Sequence, residues 1–290
     1  MSLKGKAAIV GVYEIPPARS LPDHDIASLL AEACFGAIRD AGLRKQDIDG
    51  MLMEPDFIED SGGLNAKMGE YMGIQPVFGA GINMEGASGV AGAVLAASIV
   101  ASGLAKYVLV ACAQTRDPNG AQRWPTIDPF TSEWQNPYGP SGAPSYYAMV
   151  AQRYEHLYGG TVEKRAKISV DQRTNALSNP NAIFYGQPIT TEDVVSSRLI
   201  ASPLRLLECV MPTGGASAFI VGPAELATSL PNKPVYILGG ARMRLDGTCS
   251  TCPTSSPRPS SVPRSKRLRC PATARATWTS SSSTTRSRSP

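Results

Sequence analysis

The chain has 290 residues, of which 42% are hydrophobic, so it is long enough for one large or two ordinary domains with a substantial core. Its net charge of +4 is unevenly distributed, because residues 248–290 hold eight of the 28 basic residues and none of the 24 acidic ones. The preceding residues therefore carry a net charge of −4, which argues against a nucleic-acid-binding protein.

The first predicted elements are a strand and an amphipathic helix. The strand-like run 7–12 is too short, and too soon followed by Glu14 and Pro16-Pro17, to be the apolar region of a signal peptide, so we expect a cytoplasmic protein. The helix opens at Asp23-His24-Asp25 and ends near Gly42. Its apolar positions recur at helical spacing: Ile26, Leu29, Leu30, Ala33, Ala37 and Ile38.

Strands then alternate with helices. Residues 50–53 and 106–112 read as strands, and 76–79 lead into a glycine-rich turn that opens a further helix. This alternation predicts an α/β protein with a mostly parallel sheet and helices on its faces.

The helix after the glycine-rich turn is unusual because Gly86–Ala105 is a run of 20 residues without a charge. Its length permits a transmembrane interpretation. Its Ala, Gly and Ser content argues against one, because small residues lower the transfer energy and let neighbouring backbones approach closely. We therefore expect a buried helix of a layered α/β protein and no membrane span.

The second part of the body contains one long excursion and several shorter elements. Residues 117–145 are rich in Pro, Gly, Asn and Trp, and such excursions tend to be functional. Helical spacing returns over 145–158, and Thr161 is predicted to cap a helix that reaches about Leu177. A turn at 178–181, a helix start at 190–194 and strands at 217–221 and 235–240 follow.

Residues 248–290 cannot build a core, because 12 Ser, eight Thr, seven Arg and six Pro dominate the segment. We predict a disordered basic tail there, after a folded domain over 1–247. Cys249 and Cys252 form a CxxC without a second pair, so we expect no metal site. Cys34, Cys112 and Cys209 lie in apolar runs and are predicted to be reduced core residues.

Several short motifs, weak alone, together form a specific pattern over most of residues 6–247. The pattern resembles the lipid-transfer, or sterol-carrier-type, branch of the thiolase superfamily. It consists of Gly86-Ala87-Ser88-Gly89, Asn179-Pro180-Asn181-Ala182, Glu192-Asp193-Val194, Ile200-Ala201-Ser202-Pro203-Leu204, Leu206-Leu207-Glu208-Cys209 and Gly214-Gly215-Ala216.

The resemblance implies a thiolase-like layered fold, of which this chain holds the amino-terminal half and the start of the second half. In that family a nucleophilic cysteine stands where this chain has Gly86, and an aspartate usually stands where it has Gly214. The second half normally supplies a catalytic histidine and a second cysteine, neither of which can be assigned here. The resemblance places Met84, Gly89, Gly214 and Gly215 beside the substrate.

Without the cysteine, two side chains near Gly86 are candidates for catalysis. Ser88 is the nearest hydroxyl, but it lies about 200° around a helix from Gly86 and has no histidine nearby in the sequence. Glu85 is the candidate acid/base, although a carboxylate there could equally complement the helix dipole.

Three hypotheses follow from the resemblance. The first is carbon–carbon bond chemistry on acyl-CoA thioesters, either acyl transfer or retro-aldol cleavage, with coenzyme A only as part of the substrate. The family implies a homodimer and, for the aldolases, a small OB-fold, zinc-ribbon partner protein. The second is non-catalytic binding of acyl-CoA or lipid, or service as a partner subunit. The third is an unstable product, because half of a layered fold leaves apolar faces uncovered.

The sequence of the tail supports the third hypothesis. If the gene is GC-rich, reading the implied codons from each third base permits Met-Pro-Asp across 252–254 and a Tyr-Asp-Ser-Phe-Thr string near the end. Both strings resemble the carboxy-terminal half of lipid-transfer-type thiolases. We therefore expect a frameshift near Thr248, which re-sequencing the gene would test.

Overall fold

The computed structural model describes residues 3–54, 63–115, 133, 136–139 and 142–240, apart from the side chain of Glu85. These residues form two compact units. The sheet unit comprises 3–54, 63–115 and 213–240, and the insert unit comprises 133, 136–139 and 142–212. The predicted tail 248–290 and its CxxC lie outside the described residues.

The sheet unit is built on six strands and four helices. Its strands are β1 (Ala7–Ala18), β2 (Gly50–Met53), β3 (Phe78–Gly81), β4 (Val108–Gln114), β7 (Gly214–Pro223) and β8 (Val235–Ile237). They lie in the order β3-β2-β4-β7-β1-β8. The helices are α1 (Ile26–Asp40), α2 (Leu64–Met72), α3 (Ser88–Ser102) and the short α7 (Ala224–Ala227).

Strand direction differs in part from the sequence prediction. β2 pairs in parallel with β3 and β4, as expected, but β7 is antiparallel to both β4 and β1, and β8 is antiparallel to β1. β7 is antiparallel to β4 because the chain re-enters the sheet at the edge where β4 ends. Gln114 at the end of β4 faces Gly215 at the start of β7, so the chain leaves and returns at the same edge and must run back.

Local sequence accounts for α1. Asp25 is its N-cap, and the Asp25 carboxylate accepts a hydrogen bond of 2.7 Å from the Ser28 amide. That hydrogen bond lowers the pKa of Asp25. Five of the six predicted apolar positions are buried, and the helix gives way at Gly42, whose φ of 67° favours glycine.

Two apolar clusters lie on opposite faces of the sheet. One packs α1 and α2 against residues such as Met51, Leu109 and Ile220. The other packs α3 against Leu52, Val110 and Val221. Successive strand residues point to opposite faces, so each strand supplies both clusters.

α3 approaches the sheet closely because its inner face is made of small residues. A Cβ on Gly92 would lie 2.7 Å from a methyl carbon of Val110. The prediction of a buried helix holds for this face only, because Val90 and Leu95 on the outer face are 62% and 39% exposed.

Gly11 marks a second close approach, of β1 to the end of α1. A Cβ there would lie 2.6 Å from the Ala37 carbonyl oxygen, and backbone cannot move aside as a side chain does. We expect Gly11→Ala to lower the free energy of unfolding by about 1–3 kcal/mol, measured by urea titration. Gly81→Ala is the control, because its Cβ would have only the Met53 carbonyl oxygen, at 3.9 Å, as a neighbour. Equal losses in the two variants would contradict this packing.

The insert unit holds α4 (Gly142–Tyr158), α5 (Val162–Ala176), α6 (Thr191–Ser196), β5 (Leu199–Ala201) and β6 (Leu204–Arg205). β5 and β6 form an antiparallel pair. Thr190 caps α6 through a reciprocal bond with Asp193. Thr161 occupies the N-cap of α5 as predicted, but its side chain makes no capping hydrogen bond to the helix backbone. Most of the excursion 117–145 lies outside the described residues.

Candidate functional site

The candidate site is the turn between β3 and α3. Residues Glu85–Ala87 form a single 3-10 turn that leads directly into α3, and the Ala87 amide donates to the Met84 carbonyl at 3.1 Å. A helix begins with unpaired N–H groups and the positive end of its dipole, so this turn offers a place for developing negative charge.

Gly86 lies exposed within this turn. A Cβ built there would meet no atom within 4 Å, and its φ is not in the left-handed region. Neither backbone conformation nor packing therefore requires glycine at this position. A cysteine side chain would fit at position 86. The glycine there therefore changes the chemistry of the turn and not its backbone or packing.

Ser88 has a structural part in the same turn. Its side chain is buried, and its hydroxyl oxygen accepts a 2.9 Å hydrogen bond from the Met84 amide. This bond ties the entry of the turn to the first residue of α3, which favours a structural reading of Ser88 over a nucleophilic one.

The other residues expected near substrate lie along the same edge of the sheet. Gly89 lines a small cavity below the turn, and Met84 is half-buried against the α3 cluster. Gly214 and Gly215 are the first residues of β7, and they face Ala18 and Gln114 across the sheet. The side chain of Glu85 lies outside what the structure describes.

The small cavity has a volume of about 40 Å³ and lies between α3 and the ends of the strands. Its apolar walls are Leu52, Ile82, Val110 and Phe219, and its polar side chains are Glu54, Ser88, Cys112 and Ser217. Sequence reasoning missed Glu54, Cys112 and Ser217. The sequence could have indicated two of them. Glu54 follows the predicted strand 50–53, Cys112 ends the predicted strand 106–112, and ligands bind at the carboxyl ends of parallel strands.

A larger cavity of about 550 Å³ lies at the opposite edge of the sheet, where β1, β2 and β4 begin. Asp49 lines it, but the Asp49 carboxylate is already held by the amides of Lys106 and Tyr107 at 2.8–2.9 Å. The carboxyl-end rule favours the smaller cavity as the candidate site, and Gly89, three residues after Gly86, lines that cavity.

The three cysteines among the described residues comprise one buried and two partly buried thiols. Cys34 is fully buried as predicted, and burial raises its pKa to about 12. Cys112 and Cys209 are only partly buried, contrary to the prediction that both are core residues. The local apolar runs conceal that Cys112 borders a cavity and that Cys209 follows a short turn.

We expect iodoacetamide at pH 8 to alkylate Cys112 and Cys209 in the folded protein and to spare Cys34. A thiol with a pKa near 12 is thiolate in only about one molecule in ten thousand at that pH, and Cys34 is also closed to the reagent. Peptide mass spectrometry would follow each site, with urea-unfolded protein as the control. Rapid labelling of Cys34 before unfolding would contradict this assignment.

Neither a metal site nor a membrane span is found among the described residues. No group of three or more His, Cys, Asp or Glu side chains in the described ranges could hold a metal ion. Within the same ranges, no helix is long and apolar enough to cross a membrane.

The sheet flanked by helices and the turn before α3 define a thiolase-like fold. The structure matches the Ltp2-ChsH2(DUF35) aldolase with a TM-score of 0.73 and 32% identity, over 82% of this chain and 60% of that one. It also matches a monomeric SCP2-thiolase-like protein from Mycobacterium smegmatis with a TM-score of 0.60, at 18% identity, over 79% of this chain and 48% of that one.

The sequence relatives agree. The chain is 35% identical to the 17-hydroxy-3-oxo-4-pregnene-20-carboxyl-CoA lyase of Mycobacterium tuberculosis, over 83% of this chain and 63% of that protein. It is 32% identical to the steroid side-chain-cleaving aldolase of Thermomonospora curvata, over 83% of this chain and 62% of that one. No family model matches the chain.

The chain belongs to the thiolase superfamily, among its thiolase-like proteins. It spans less than two thirds of the length of the relatives just described.

Proposed function

We propose that this protein acts on acyl-CoA thioesters and cleaves a carbon–carbon bond by a retro-aldol reaction. The observation that carries the proposal is the glycine at position 86, in an open position where a cysteine would fit. A retro-aldol cleavage needs a base for a hydroxyl proton and donors for an enolate, and it needs no sulfur nucleophile. Relatives described as a lyase and an aldolase support this chemistry, and relatives described as acetyl-CoA acetyltransferases keep acyl transfer as the alternative.

The turn supplies the setting for that chemistry. The N-terminal end of α3 would stabilise the enolate oxygen through its amides and dipole. Gly86 and Gly89 carry no side chains that would obstruct a thioester, and Met84, Gly214 and Gly215 lie at the same edge. We propose no bound cofactor, since coenzyme A enters as part of the substrate, and Glu85 stays an acid/base candidate.

We also propose the assembly and location of the protein. β3 is an edge strand beside the turn, and thiolase-like folds usually pair as homodimers through that edge, although the Mycobacterium smegmatis neighbour is monomeric. An OB-fold, zinc-ribbon protein would be the partner, as the structure of an aldolase with ChsH2(DUF35) suggests. The complex would be cytoplasmic.

A second candidate is non-catalytic acyl-CoA or lipid binding, or the role of a partner subunit. Residues of this chain match the benzoylsuccinyl-CoA thiolase subunit BbsB of Thauera aromatica at 44% identity, over 32% of this chain and 24% of that protein. A frameshift near Thr248 would favour this candidate, because catalytic residues of the second half would then be lost.

The two functions separate in one experiment. The full chain is incubated with a β-hydroxyacyl-CoA and, separately, a β-ketoacyl-CoA, with and without the OB-fold partner. We expect release of a ketone or aldehyde from the β-hydroxyacyl-CoA when the partner is present. Turnover of the β-ketoacyl-CoA without the partner would contradict a retro-aldolase, and binding without turnover of either compound would favour the second candidate.

A further inference from the structure

Three polar side chains form a row across neighbouring strands beneath the turn at Gly86. Cys112 in β4 faces Ser217 in β7, and their sulfur and oxygen atoms lie 3.2 Å apart. Glu54 directly follows β2, and its amide donates to the Ala111 carbonyl at 3.1 Å. Because Met53 faces Ala111, the next residue, Glu54, lies beside Cys112. We call Glu54, Cys112 and Ser217 the polar row.

The polar row lies on the α3 face of the sheet. Glu54, Cys112 and Ser217 each alternate with a residue of the α3 cluster: Leu52, Val110 and Phe219. All six line the small cavity, with Ser88 and Gly89 of the first turn of α3 above them. The carboxylate, the thiol and the start of α3 therefore border the same space.

The volume of the cavity limits what can enter it. At about 40 Å³ it holds one water molecule or one small polar group, not an acyl chain. The aliphatic and aromatic walls give a hydroxyl no hydrogen-bond acceptor, so such a group would bind to the polar side chains. Of these, Glu54 has the carboxylate, which is the strongest acceptor.

We propose that Glu54 is the proton acceptor of the retro-aldol cleavage, an inference that rests on the proposed function. The β-hydroxyl of the substrate, directly or through one water in the cavity, gives its proton to the Glu54 carboxylate. The O–H electron pair forms the carbonyl of the departing ketone or aldehyde, and the electrons of the broken carbon–carbon bond move into the thioester enolate. The protonated Glu54 then returns the proton, through the water in the cavity, to the α-carbon of that enolate, so no other reactant is required.

Few of the described residues that line the cavity have titratable side chains. Cys112 is the other titratable side chain among the described residues that line the cavity, while Ser88 and Ser217 supply hydroxyls that do not titrate near neutrality. Among the described residues of α3 and β7, no charged side chain borders this space.

The test compares Glu54→Gln with the wild-type full chain and its OB-fold partner, using a β-hydroxyacyl-CoA and measuring release of the ketone or aldehyde. We expect kcat to fall by about 100-fold or more, with KM changed little. We expect the wild-type kcat/KM to rise with pH as the carboxylate loses its proton, and this rise should be absent in Glu54→Gln and return in part in Glu54→Asp. Glu70→Gln, an exposed change in α2, is the matched control and should keep wild-type rates.

A second measurement concerns the cavity and not turnover. Alkylation of Cys112 by iodoacetamide should slow several-fold when the β-hydroxyacyl-CoA is bound. Cys34 in Glu54→Gln should stay protected from the reagent, which would show that the variant folds. Wild-type kcat in a folded Glu54→Gln, or no protection of Cys112, would overturn the assignment of Glu54 while leaving the retro-aldol proposal intact. Absence of turnover by the wild type with its partner would instead overturn the proposed function, and Glu54 with it.

Discussion

Gly86→Cys should turn a protein that forms no acyl-enzyme into one that is acylated stoichiometrically by an acyl-CoA. The side chain would enter open space, and the start of α3 would lower the pKa of a thiol there and favour the thiolate. The thiolate would attack the thioester carbonyl and release coenzyme A. Intact-protein mass spectrometry after incubation with acetyl-CoA or butyryl-CoA would show the added acyl mass.

The control for this gain is Leu95→Cys, which places a thiol on the outer face in the middle of α3, away from the turn. It should stay unmodified under the same conditions. Because the wild-type chain has other thiols, the acylated peptide must be identified, and the adduct must map to position 86. Equal acylation of both variants would show that the turn does not activate a thiol, and would weaken the assignment of the site.

Arg165→Met should lower the free energy of unfolding of the insert unit by about 3 kcal/mol. In α5, the Arg165 Nε donates to Glu208 Oε1 at 2.8 Å, Nη1 donates to Glu155, and Nη2 donates to the Pro203 carbonyl at 3.1 Å. The Glu208 side chain is only 5% exposed, so removal of the guanidinium leaves a buried carboxylate without its cation. The expected loss lies at the low end for a broken buried pair, because the Arg205 amide still donates to Glu208 at 2.8 Å.

Lys167→Met is the matched control, since it removes an ion pair from the same helix. Lys167 and Asp171 lie 2.7 Å apart but are 73% and 58% exposed, so their pair contributes at most about 0.5 kcal/mol. Urea titration followed by far-ultraviolet circular dichroism would compare the two variants. The double variant Arg165→Met/Glu208→Gln should regain part of the loss, because no charge is left buried. A loss in Lys167→Met as large as that in Arg165→Met would contradict this account.

Local sequence was sufficient for elements whose cause is local. Asp25 with Ser28, and Thr190 with Asp193, are capping pairs readable three residues apart, and both helices begin there. The small residues between Gly86 and Ala105 predicted close packing, which Gly92 against Val110 makes concrete. The order of motifs also identified the superfamily, which the relatives bear out.

The prediction of a buried α3 was right for one face only. Periodicity is nearly absent in a helix of Ala, Gly, Ser and Val, so the sequence does not distinguish the inner from the outer face. The direction of β7 was also beyond local reasoning, because it depends on where the chain returns to the sheet and not on the residues of the strand.

The sequence by itself determined the superfamily and the starts of α1 and α6, and it has Gly86 where the resemblance predicts a cysteine. Only the tertiary structure brought together Glu54, Cys112 and Ser217, which are separated along the chain but border one cavity beneath α3. The physical reason is that caps and periodic faces arise from neighbours within a few residues, whereas strand register is fixed by packing between distant segments. A carboxylate at the end of one strand therefore acquires its chemical surroundings only when the sheet has formed.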